Sequence, residues 1–143
     1  MRIIVEIQLR EVTKKDWDFI LNLRNNDYKF FYLQDKPIDR DHHFKYMENQ
    51  ISNPSFHNWI ITYENHDAGY VRILNTDVGI MIKNEFQNKG IATMALELVE
   101  KKAIDLNIKK LVALIDPDNN NSQQIFKKNG YLLKLHWLEK NFN

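Results

Sequence analysis

Between Val78 and Leu106 the chain places one arrangement of residues suited to holding a charged ligand. The run Val78-Gly79-Ile80-Met81-Ile82 reads as a strand, and a strongly amphipathic helix opens near Ile91. The segment Gln87-Asn88-Lys89-Gly90-Ile91-Ala92 joins them. A loop that opens a helix presents backbone N–H groups with no intrahelical acceptor, and the helix dipole adds partial positive charge at that end. Gly90 lets a ligand come close to the backbone. The chemistry this permits is capture of a phosphate or pyrophosphate. No lysine-serine/threonine pair follows the glycine, as a triphosphate loop would require, and the histidines are dispersed without metal-ligand spacing. Neither a metal enzyme nor a nucleoside triphosphatase is expected.

The flanking elements must position that loop. Arg2 to Arg10 reads as a strand, and Thr13-Lys14-Lys15-Asp16 resembles a capping box that opens a helix from about Asp16 to Leu23. Asp39 can cap a second helix carrying Phe44, Met47 and Ile51, which Asn53-Pro54 ends. Three strands follow, Trp59 to Tyr63, Gly69 to Leu74 and Val78 to Ile82, and their short connections imply an antiparallel meander. The helix after Gly90 carries Ile91, Ala95, Leu98, Val99, Lys102 and Leu106 on or near one stripe. Lys110 to Ile115 follows at right-handed crossover length, which places it parallel to the strand before the helix. A polar cluster, Asp116 to Ser122, leads into a short helix with Ile125 and Phe126 that ends at Asn129-Gly130, and Tyr131 to Leu138 reads as a last strand. The pattern is α/β, with a mixed central sheet in one domain spanning residues 1–143.

Composition narrows the class. The sequence has 143 residues, no cysteine and a formal net charge of +1. Disulfides, thiolate metal sites and cysteine nucleophiles are excluded, and a cytoplasmic location fits. The charge gives no reason to expect nucleic acid or a membrane surface as a partner. Glu6 interrupts the apolar start, and no run approaches the roughly 20 residues needed to span a bilayer.

Two segments together resemble one family. Gln87 to Ala92 is similar to the Gln/Arg-x-x-Gly-x-Gly/Ala signature of the GCN5-related N-acetyltransferase (GNAT) family. Pro117-Asp118-Asn119 through Ser122, Phe126 and Gly130-Tyr131 resembles its second motif. Their order and spacing, and the order of elements from Arg2 to Leu138, follow the family. The resemblance implies a three-layer fold, with a mostly antiparallel twisted sheet flanked by helices and a shortened C-terminal strand region. It implies acetyl-CoA as cofactor and direct transfer to a primary amine on a small molecule. The strands at Val78–Ile82 and Lys110–Ile115 would splay, and the pantetheine arm would lie in the gap. Backbone groups of Ile80, Met81 and Ile82 would hold the pantetheine and the thioester carbonyl, which makes Met81 a catalytic candidate. Gln87 and the amides of Asn88, Lys89, Gly90, Ile91, Ala92 and Thr93 would serve the pyrophosphate, with Asn119, Ser122 and Phe126 on the other wall. Many relatives carry a tyrosine where this chain has Phe126, which cannot protonate the departing thiolate.

The attacking amine must be neutral, so a base is sought. Asp77, just before the central strand, is the first candidate and a turn aspartate the alternative. His43 is the second, set against a solvated histidine on its helix. Arg72, a charged residue within a strand, reads either as a cleft-facing anion contact or as a solvent-face residue. Leu23-Arg24-Asn25 with Arg40-Asp41-His42-His43 resembles acetyltransferases that act on amino sugars carried by nucleotides, which would set Arg24 and Asn25 beside the acceptor. The aromatics Tyr28, Phe30, Phe31 and Tyr32 would form an acceptor wall or pack in the core. An amino-sugar nucleotide is thus the expected acceptor. A protein N-terminus, a polyamine, an aminoglycoside or a catalytically silent acyl-CoA-binding module are the alternatives. A homodimer is one way to complete the wall that a shortened C-terminal region leaves open.

Overall fold

A computed structural model describes residues 6–26 and 36–142. Four strands, β1 (Ile7–Glu11), β2 (Phe56–Tyr63), β3 (His66–Leu74) and β4 (Asp77–Ile82), form one antiparallel sheet in sequence order. The tight links follow from residues that accept left-handed backbone. Glu64 and Asn65 both have positive φ (48° and 66°), the twist a two-residue hairpin needs, and Asn75 (58°) turns the next. The first hairpin is therefore tighter than the sequence suggests, and β3 begins at His66 rather than Gly69.

Strand alternation sends two apolar sets to opposite faces. Trp59, Ile61, Val71, Ile73 and Val78 pack with helix α3 (Ile91–Asp105) and with Phe126 of α4 (Asn120–Lys128). Ile60, Tyr70 and Met81 meet Trp17, Ile20 and Leu23 of α1 (Trp17–Asn26) and Met47 of α2 (Arg40–Gln50). This is the expected three-layer α/β arrangement. Full burial of Leu96 and Val99 on α3 contributes about 1.5–3 kcal/mol each. Asp16 receives Thr13 N–H at 2.8 Å and Arg10 Nη2 at 2.7 Å, tying β1 to the turn that starts α1. The guanidinium holds its carboxyl below the usual range. At α2 the expected cap is present, with Asp39 accepting from His42 N–H at 2.9 Å.

Several expectations need correction. On α3 the buried stripe is Ile91, Ala95, Leu96, Val99 and Ala103; Lys102 and Leu106 are exposed. Ile51 lies beyond α2 and is exposed. Residues 110–115 form no strand and meet β4 at one parallel bridge, Asp77 to Val112. Residues 131–138 form no strand: no neighbour offers a ladder, and Leu132, Leu133, Leu135, Trp137 and Leu138 are 60–93% exposed. The start of the expected first strand and the aromatics Tyr28, Phe30, Phe31 and Tyr32 lie outside the described residues.

Candidate active site

The single bridge beside β4 defines the site. Val112 N–H donates to Thr76 O (2.7 Å) and Val78 N–H to Val112 O (2.9 Å), after which no further ladder bond joins the two segments. Backbone direction alternates along a strand. Since Val78 faces residues 110–115 and Lys83 N–H donates back to Ala68 O (2.8 Å), Ile80 and Ile82 direct their backbone groups into the widening wedge. Met81 instead directs its backbone towards β3 and its side chain towards α1. Of the three expected backbone contacts, alternation thus leaves two facing the gap. Ile82 O accepts from Gln87 Nε2 (3.1 Å), so Gln87 braces the loop with its side chain.

At the mouth of the wedge, Asn88 (φ 62°) and Gly90 (φ 77°) turn the loop into α3. The buried Ile91 anchors the turn, and the first helical bond runs from Met94 N–H to Gly90 O (3.2 Å). Backbone N–H groups of Asn88, Lys89, Gly90, Ile91, Ala92 and Thr93 meet no protein acceptor among the described residues. A Cβ built at Gly90 would touch nothing within 4 Å, so the space in front of these donors is open. Six consecutive unpaired amides at a helix N-terminus fit a pyrophosphate.

Helix α4, expected to form the other wall, packs against α3. Asn119 caps α4, accepting from Ser122 N–H at 3.2 Å, and Phe126 is buried in the α3-side core. Phe126 meets Tyr131 edge to face at 4.9 Å. The Tyr131 hydroxyl is buried without a protein partner, and desolvation, then Glu100, pushes its pKa up to about 12.

On the α1/α2 side the sheet carries polar groups beside the apolar Ile60 and Met81. Asp77 opens β4 and is paired with Arg72, whose Nη1 lies 3.0 Å from both Asp77 Oδ2 and Asp77 O. Arg72 crosses Gly79, where a Cβ would come 3.2 Å from the guanidinium carbon. The base candidate Asp77 therefore has its carboxylate engaged. His43 is completely buried, which corrects the solvated reading and removes it from contact with a substrate amine. Its Nδ1 lies 3.2 Å from Arg24 Nη1 and its Nε2 2.8 Å from Trp17 O. Arginine can only donate, so Nδ1 accepts and the proton sits on Nε2. Burial, then the Arg24 charge, lowers the pKa of His43 and keeps the ring neutral. Arg24 also lies over the Tyr46 ring at 5.4 Å. Asn25 clamps Ile38 through both backbone groups (2.9 and 2.8 Å), holding the two ends of the α1–α2 connection together. Tyr70, bonded to Asn58 at 3.1 Å, completes this face, with its pKa raised to about 12 by burial. Tyr46, Asn58 and Tyr70 were missed in sequence, although Tyr70-Val71-Arg72 has the period-two spacing that sets Tyr70 and Arg72 on one face. Tyr32 lies outside the described residues.

A model of the Acetyltransferase (GNAT) domain matches residues 6–132. The chain belongs to the GNAT acetyltransferase family. It is an acetyl-CoA-dependent N-acetyltransferase with the GNAT fold. The spermidine N(1)-acetyltransferase of Escherichia coli (strain K12) is 24% identical over 134 residues, covering 87% of this chain and 72% of that protein. A spermidine N-acetyltransferase from Vibrio cholerae, solved with CoA and spermine, shares the fold at TM-score 0.82 and 20% identity, covering 95% and 86% of the two chains. A ribosomal-protein-alanine N-acetyltransferase from Brucella melitensis aligns at TM-score 0.73 and 16% identity, covering 86% and 83%. These relatives are named for polyamines and ribosomal proteins, not for amino sugars. Among the described residues no helix is long and apolar enough to cross a membrane, and no cluster of His, Asp or Glu could hold a metal ion.

Proposed function

We propose that this GNAT member acetylates a primary amine by direct transfer, with the diphosphate of CoA on the amides of Asn88–Thr93 and the pantetheine along the open edge of β4. Support comes chiefly from six unpaired amides leading into a wedge where Ile80 directs unpaired backbone groups. When bound, acetyl-CoA supplies an activated acetyl thioester. Ile80 N–H is the donor aimed into the wedge. A fixed donor at an oxygen that gains negative charge is worth about 3 kcal/mol in comparable sites. Ser122 and the Asn119 cap shape the opposite wall, and Phe126 stabilises it from beneath without moving a proton.

In this reading His43 does not act as a base, because it is sealed beneath α1 with both ring nitrogens bonded. Asp77 is held by Arg72, which leaves solvent to carry the amine proton. The names of the relatives favour a polyamine or a protein N-terminus as acceptor over an amino-sugar nucleotide. Thiol release from acetyl-CoA, measured over spermidine, N-terminal peptides and amino-sugar nucleotides, tests the reading. Turnover on one group supports it, whereas CoA binding without turnover on any amine contradicts it.

A further inference from the structure

Arg24 is the least compensated charge in the site. It sits at the last turn of α1, half-buried, and burial pulls its pKa down. Its contacts are the neutral His43 ring and the face of Tyr46; no carboxylate pairs with it among the described residues. A neutral imidazole orients a guanidinium without cancelling its charge. One Nη1 hydrogen bond to His43 leaves the Nε and Nη2 donors without protein acceptors among the described residues. The nearby charges do not compensate it either: Arg72 repels it, and Asp77 is engaged by Arg72. Keeping such a charge partly out of water is costly unless a counter-ion arrives.

The position is informative as well. Arg24 lies over Tyr46, which packs against the cluster that holds Tyr70, and Tyr70 is opposite Met81 in the sheet, one residue from the wedge-facing Ile80. The guanidinium therefore occupies the α1/α2 face of the sheet, opposite the face on which α3 packs. A polyamine would find a basic surface here, whereas a planar donor fork suits a carboxylate or phosphate.

We infer that Arg24, oriented by His43 and Tyr46, binds an anionic group on the acceptor, so that the amine acetylated by this chain also carries a carboxylate or a phosphate. The inference rests on the acetyl-transfer reading above and departs from its polyamine acceptor, since a polyamine carries no anion. Arg24 is then a specificity-determining residue, and His43 a positioning residue behind it.

The test compares matched amines with and without the anion: phosphoethanolamine against ethanolamine, and β-alanine against propylamine, with spermidine as the cationic reference. In the wild type, kcat/KM for at least one anionic member should exceed its neutral partner by about 10- to 100-fold, the range of a charge-assisted hydrogen bond. The pair with the larger ratio tells phosphate from carboxylate. In Arg24→Gln that ratio should fall towards one, and Arg24→Lys should restore part of it, with acetyl-CoA affinity retained in both. The wild-type ratios need no variant and stand even if Arg24→Gln folds poorly. Preference for spermidine over every anionic amine, or an equal loss on all amines in Arg24→Gln, overturns the inference while leaving acetyl transfer intact. Acetyl-CoA binding without turnover on any amine overturns both.

Discussion

The two faces of one sheet bury different chemistry. Towards α3 and α4 the fully buried side chains are aliphatic, with Ile61, Val71, Ile73, Leu96 and Val99 sealed from water. Towards α1 and α2 the sheet also seals Ile20 and Ile60, but among them it buries His43 and Tyr70 and partly buries Arg24 and Arg72. Close packing without polar atoms is the arrangement that stabilises, whereas buried polar groups must each find a partner. Both faces contribute a buried apolar cluster, while the polar groups proposed to meet the acceptor lie on one of them, with the open edge of β4 between the two.

The largest expected effect tests the apolar face. Leu96→Ala should lose about 3–5 kcal/mol of unfolding free energy in urea titration, because it opens a cavity in a sealed core. A loss under 1 kcal/mol would mean that this core is not close-packed. Next comes the edge between the faces. Gly90→Asp should weaken acetyl-CoA at least about 100-fold by calorimetry, roughly 2.7 kcal/mol, through negative charge where a pyrophosphate belongs. The substitution leaves the fold largely intact, since the space beside Gly90 is open and aspartate tolerates left-handed backbone better than most residues. Gly90→Asn, uncharged, should lose much less affinity; equal losses would point to backbone shape as the cause.

A smaller effect separates the faces by pH. The pKa of His43 in the folded chain lies below its ordinary value of 6.5, so the unfolded chain binds the extra proton first. Stability from this group is complete above about 6.5 and is lost as pH falls towards the folded pKa, with a slope of at most about 1.4 kcal/mol per pH unit. Thermal midpoints from pH 8 to 5 should fall more steeply in the wild type than in His43→Gln. Parallel curves would show that His43 does not titrate as its burial requires. The smallest effect lies on the apolar face, at a buried hydroxyl. Tyr131→Phe removes a hydroxyl that is buried without a protein partner and should leave stability unchanged or raise it by about 1 kcal/mol. A loss above 1 kcal/mol would reveal a partner, such as an ordered water.

Local signals made much of the fold legible. Period-two runs and turn residues marked the meander, and Gly90 ahead of an apolar stripe marked α3. The last strand was misread because Tyr131–Leu138 has the composition of a strand, while strand formation depends on a neighbour that no local pattern reveals. The unpaired amides of Asn88–Thr93 were legible because they are backbone groups, set by a helix start. His43, Arg24 and Asn25 were visible as residue types but not as roles. Asn25 proved to be a clamp on Ile38, and His43 a buried support for Arg24. Both roles depend on contacts 13 to 26 residues away in sequence.

The central claim is that the unpaired amides of Asn88–Thr93 hold the CoA diphosphate. Backbone amide NMR during titration with CoA tests it most directly. The account predicts that the largest shifts fall on Asn88, Lys89, Gly90, Ile91, Ala92 and Thr93, with a second set at Ile80 and Ile82. Saturable binding that leaves these amides unmoved while shifting residues 131–139, along the exposed C-terminal segment, would contradict it.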